Sequence, residues 1–190
     1  MSIHLNKFLL IIFCSWAVYF SGWFFVYKTG INPLAIQSED TIPAIILPVT
    51  IIKERTFYAD TYYKAIIEKY PHPDDKKYLK DLVPFYFRKV GEHYISAFPI
   101  MAGLLSVPVY LIPLLLHVDI TWDNLIILSH LSASLIVALS GGFFYLLAKK
   151  VIASPPWRTK QSQNDDKEAI LLTAIYLFAT VNFAMVSQSP

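Results

Sequence analysis

Of 190 residues, 55% are hydrophobic and only 16% are charged, with a mean hydropathy of +0.47, a composition too apolar for a soluble domain of this size. The 16 basic and 14 acidic residues leave a net charge of +2, which gives no support to nucleic-acid binding by bulk electrostatics. The single cysteine, Cys14, excludes an internal disulfide and a cysteine-based zinc cluster; in an apolar run beside Ser15 and Trp16 it reads as a small buried hydrophobe.

Residues 8–27 carry no charge and match the roughly twenty residues an α-helix needs to cross about 30 Å of hydrocarbon. Lys7 and Lys28 bracket the run, and its last turns hold Trp23, Phe24, Phe25 and Tyr27, aromatics suited to a membrane interface. A cleaved leader has a shorter apolar core and small residues at its end, so the run reads as a retained anchor.

Residues 28–94 form a long first loop in which charged residues alternate with aromatics, too patterned for a disordered linker. Ser38-Glu39-Asp40-Thr41 followed by Ile42-Pro43 predicts a helix start, with Asp40 or Thr41 as cap and proline in the first turn. The helix is expected over about 43–55, bent at Pro48. A second helix, 58–70, places Tyr58, Tyr62, Ile66 and Tyr70 on one side, opposite Asp60, Lys64 and Glu68. Such an amphipathic helix suits the headgroup plane. Tyr70-Pro71-His72-Pro73 breaks it, and a charged segment leads to Arg88 and Lys89.

Further spans are expected over 95–118, kinked by Pro99, Pro108 and Pro113; over 124–148, whose Ser132, Ser140, Gly141 and Gly142 let a neighbouring helix approach; and over 169–186. The fold class is therefore all-α, a polytopic bundle of about four transmembrane helices whose long first loop carries interfacial helices. Residues 1–190 read as one membrane domain. The ending at Pro190, without a polar tail, suggests the N-terminal portion of a longer protein. Four crossings place the long loop and the linker 149–168 on one face. The linker's Lys149, Lys150, Arg158, Lys160 and Lys167 outnumber its acids, so the positive-inside rule puts that face in the cytoplasm.

Glu39 and Asp40 lead the candidates for chemistry, because a carboxylate is favoured at a helix N-terminus and, beside a membrane, serves as general base or holds a divalent cation. An ordinary helix cap explains the same spacing. Arg88, Lys89 and His93, just before the second span, lie where a lipid phosphate would be, and also suit plain interfacial anchoring. His72, Asp74 and Asp75 have the residue types of a metal site within a proline-rich solvated turn. His130, inside a span beside serines, reads as neutral and hydrogen-bonded to a neighbouring helix. No glycine-rich phosphate loop, Ser-His-Asp order, zinc spacing or haem motif is present.

One order of short motifs is informative: Ser38-Glu39-Asp40-Thr41-Ile42-Pro43 with Leu47-Pro48, then Thr56-Phe57-Tyr58-Ala59-Asp60, then Gly91-Glu92-His93-Tyr94-Ile95-Ser96-Ala97-Phe98-Pro99-Ile100, then Leu104 to Leu111, and finally Ser187-Gln188-Ser189. It resembles the N-terminal part of bacterial GT-C superfamily glycosyltransferases of the protein O-mannosyltransferase and aminoarabinose-transferase group. The resemblance implies a polyprenyl-phosphate-linked sugar as donor, an acceptor of unspecified kind and transfer at the extracytoplasmic face of a bacterial inner membrane. It also implies an acid of the first loop acting at the acceptor, here Asp40 with Glu39 as the alternative. Phe98-Pro99-Ile100 stands where the mannosyltransferases carry His-Pro-Pro-Leu, without the histidine and the second proline. The implied extracytoplasmic loop opposes the sidedness read from the linker's charge. The competing class is a noncatalytic membrane subunit or transporter fragment binding lipid or a partner protein.

Overall fold

Residues 2–29 contain no proline, and in the computed structural model they form one unbroken helix, α1 (Ser2–Thr29). The structure describes residues 2–30, 39–69, 83–153 and 162–179. It is mostly helical and divides into two compact units, Met1–Pro33 with Ala133–Ser189 and Leu34–Ser132. Among the described residues, two helices, Leu5–Thr29 and Trp122–Ile152, are long and apolar enough to cross a membrane.

The first unit contains α1, the part of α5 (Trp122–Ala153) that follows Ser132, and α6 (Ser162–Phe178). On α1 the buried residues are Ser15, Tyr19 and Trp23, one per turn, while Leu9, Phe13 and Phe25 stay more than half exposed. The helix is apolar all round, but one stripe faces its neighbours. Cys14 lies off that stripe and is exposed, contrary to the expectation of burial.

Gly142 admits α1: a Cβ there would stand 2.7 Å from Ile12 Cγ1. Gly141 admits α6, where a Cβ would meet Leu177 Cδ2 at 2.7 Å. Contacts along the helices fix their directions. Phe8 meets Phe143 edge-on at 5.7 Å, Phe144 stacks on Tyr176 at 4.5 Å, and Tyr19 donates to the Leu177 carbonyl and stacks on Phe178. At one end Asp166 lies between Lys7, 2.5 Å away, and Lys149, 2.6 Å away. Thus α1 and α6 run parallel, and α5 runs antiparallel to both.

The second unit is built around α2 (Ile42–Val49), seven of whose eight residues are buried. Pro43 fits its first turn as expected. Thr41 occupies the cap position without a side-chain cap bond, because Glu39–Thr41 is already a 3₁₀ turn and Thr41 keeps helical angles rather than the extended ones that aim a cap. Pro48 lacks an N–H, and instead of a simple bend the helix widens into a π-turn, Thr50–Glu54, closed by Arg55 in the left-handed region.

α3 (Asp60–Lys69) follows as predicted, two residues later at its start. Residues 87–96 then depart from the all-α expectation: β1 (Phe87–Val90) and β2 (His93–Ser96) form an antiparallel hairpin. Gly91, with φ +62°, supplies the first central residue that a two-residue turn between right-twisted strands requires. The span expected over 95–118 is accordingly shorter. α4 (Met101–Leu115) has fifteen residues, roughly 22 Å at 1.5 Å per residue. It packs on α2 through Gly103, where a Cβ would stand 2.8 Å from Leu47 Cδ2. The core joins Ile42, Ile45, Ile46 and Val49 to Ile66, Tyr86, Phe87, Tyr110, Leu114, Leu125 and Leu128.

Candidate functional site

In β2 the residue whose backbone faces outward is Tyr94. Its carbonyl accepts from the Ala59 N–H at 2.8 Å, and its N–H donates to Asp60 Oδ1 at 2.7 Å. The start of α3 thereby completes the hairpin edge, and Asp60, expected merely to lie on the solvated face of its helix, becomes part of a site. Its second oxygen, Oδ2, lies 2.6 Å from His93 Nδ1.

Two tyrosines grip the strand from opposite faces. Tyr58 stacks on the His93 ring at 4.0 Å with the planes 3° apart, and Tyr63 stacks on Tyr94 at 3.5 Å. The register pairs Arg88 with Ile95, Lys89 with Tyr94 and Val90 with His93. Because side chains alternate along a strand, Arg88 and His93 share one face, while Lys89 shares the other with Tyr94. Lys89 Nζ lies 6.0 Å from the Tyr94 ring centre and 3.7 Å from Glu92. The hairpin thus separates the three residues that sequence spacing groups together.

Burial works against charge on Asp60, but the Tyr94 N–H, the His93 hydrogen bond and the His93 charge outweigh it and keep its carboxyl below the usual carboxylate range. A carboxylate bonded to Nδ1 requires the proton there, so Nε2 is the atom directed away from the pair. This constraint on the ring is what the sequence reading missed. Its one available signal was the Gly91-Glu92 turn, which brings His93 back beside Arg88.

Glu39 and Asp40 lie in the 3₁₀ turn at the head of α2. Oδ1 of Asp40 is buried and without a hydrogen-bond partner among the described residues. α2 packs against β2, but among the described residues no hydrogen bond or ion pair joins Asp40 to Arg88, Lys89 or His93. His130 is buried, its Nδ1–H donating to Ile126 of its own helix at 3.0 Å rather than to a neighbouring one. Among the described residues no three histidine, cysteine or carboxylate side chains gather as metal ligands; His72, Asp74, Asp75 and Ser187-Gln188-Ser189 lie outside the described residues. No family model, curated protein or solved structure matches the chain.

Proposed function

We propose that the chain is a GT-C-type glycosyltransferase that takes its sugar from a polyprenyl-phosphate donor at the extracytoplasmic face of a membrane. The observation that carries this reading is Asp40. A buried carboxylate oxygen without a partner is costly unless a ligand or a reaction uses it, and here it stands at the head of the most buried helix of its unit. In the proposed step the acceptor's proton passes to Asp40 while the acceptor atom bonds to the sugar carbon. The bond from that carbon to the phosphate oxygen breaks, and the prenyl phosphate leaves with the electron pair, its charge met by cationic groups of the hairpin.

Helix direction supports the sidedness this chemistry needs. With α1 and α5 antiparallel, Lys7, Lys149 and Asp166 share one end of the first unit, and both connections to residues 34–132 leave from the other. If both helices cross, the basic linker is cytoplasmic and the loop is outside, so the charge rule and the resemblance cease to conflict.

Asp40→Asn, at unchanged membrane level, is expected to reduce sugar transfer by about 10²- to 10⁴-fold. Normal transfer would remove Asp40 as base and favour a noncatalytic membrane subunit. In a Cys14→Ser background, single cysteines at Asp60 and Gln161 should label from opposite sides, Asp60 from outside. Labelling of both from the cytoplasm would end the reading.

A further inference from the structure

Arg88 is exposed, lies on the same face of the hairpin as His93, and makes no ion pair among the described residues. Diagonal neighbours of this kind are roughly 7–8 Å apart at their backbones, within reach of an arginine. His93 is gripped on one side by Tyr58 and at Nδ1 by Asp60. The remaining cation of the hairpin, Lys89, is turned to the other face and paired with Glu92.

We infer that Asp60 and Tyr58 are positioning residues that hold the His93 imidazole beside Arg88 as a two-point cradle for a phosphodiester group, and that Lys89 takes no part in it. Deepening the proposed function, this inference rests on that reading for the origin of the phosphate but is tested without turnover. Three features carry it. Asp60 uses one oxygen on the Tyr94 N–H and the other on Nδ1, so the ring has one orientation. An exposed imidazole gains little stability from being fixed in this way, which makes orientation itself the property to explain. A guanidinium without a partner and an imidazolium N–H on one face offer the donors that a phosphate's two free oxygens accept. Among the described residues, the charged and titratable groups around the ring are Asp60 and Tyr58 from the α3 side and Arg88 from β1; Glu92, in the turn, is paired with Lys89.

The test is binding to the purified chain in nanodiscs of zwitterionic lipid, using a short prenyl methyl phosphodiester and, in parallel, dimethyl phosphate. Both probes carry a single negative charge at neutral pH, so a change of affinity between variants reports the donors on the hairpin face. Arg88→Ala and His93→Gln are each expected to weaken binding about tenfold, and Lys89→Ala less than twofold. Asp60→Asn keeps an acceptor for the Tyr94 N–H but turns an amide N–H toward Nδ1. This moves the neutral ring's proton to Nε2, visible in the histidine ¹⁵N shifts.

Binding of the prenyl probe alone supports the cradle with a lipid headgroup as its source, and equal binding of dimethyl phosphate supports it with a free phosphodiester. Equal losses in Lys89→Ala and Arg88→Ala would overturn it, as would histidine ¹⁵N shifts in Asp60→Asn identical to those of wild type. Loss of transfer in Asp40→Asn with these binding results unchanged from wild type would sink the cradle without touching the enzymatic reading. The converse pattern would do the opposite.

Discussion

Asp166 lies between two ammonium groups, 2.5 and 2.6 Å away, with its side chain 14% exposed. Asp60 lies 2.6 Å from one imidazole, with 37% of its side chain exposed. The first carboxylate joins three helices at one end of their unit, with the Tyr145 hydroxyl adding a bond at 3.2 Å. The second fixes one ring and one strand edge. Lys149 and then Lys7, through their hydrogen bonds, keep the Asp166 carboxyl well below the usual carboxylate range despite burial. The same residue type therefore does two jobs, and burial decides which. A shielded pair stabilises the arrangement of helices, whereas an exposed one contributes little to stability and chiefly directs a side chain.

The largest break in this comparison is Asp166→Leu. It leaves two half-buried lysines without their common partner, and the chain should lose about 2–3 kcal/mol, read as a lower thermal midpoint in detergent. A loss below about 0.5 kcal/mol would mean that the clamp does not hold the helices. Next comes packing. Gly103→Ala should cost about 1–3 kcal/mol, because its Cβ would meet Leu47 Cβ at 3.0 Å and the Ala44 carbonyl at 3.2 Å, atoms that move only with their backbone. Gly142→Ala should cost less, since the facing atoms are the ends of the Ile12 and Phe8 side chains.

Acid separates the two regions further. A carboxyl lowered in the folded state contributes stability that is fully present above its unfolded value, near 3.8 for Asp166, and is lost as the pH falls toward the folded one. The stability gap between wild type and Asp166→Asn should therefore be constant at neutral pH and close below about pH 4. A gap that widens in acid would reverse the sign of the argument.

Legibility in the sequence followed the same division. The uncharged run of α1 and the small residues of α5 announced the first unit, since long apolar helices need only local composition to be seen. The Lys7–Asp166 pair, 159 residues apart, left no local trace. In the second unit the Ile42-Pro43 helix start was legible. The hairpin was not, because Ile95 and Ser96 lead into the apolar residues after Phe98 and were read as the beginning of a span. The Gly91-Glu92 turn was the available correction. With the hairpin unseen, Arg88, Lys89 and His93 formed a single cluster and Asp60 had no partner. The register divides the cations, and the start of α3, bonded to the hairpin edge, supplies the acid.

The smallest expected effect is the most diagnostic. His93→Gln removes an imidazole that is about half exposed, so its contribution to stability should be within about 0.5 kcal/mol. Asp60 retains the Tyr94 N–H, and the hairpin keeps its edge bond from Ala59. A thermal midpoint near that of wild type, together with weaker phosphodiester binding, is the pattern of a side chain kept for what it faces. A drop as large as that of Asp166→Leu would make the Asp60–His93 pair a second structural clamp, and the contrast between the two aspartates would vanish.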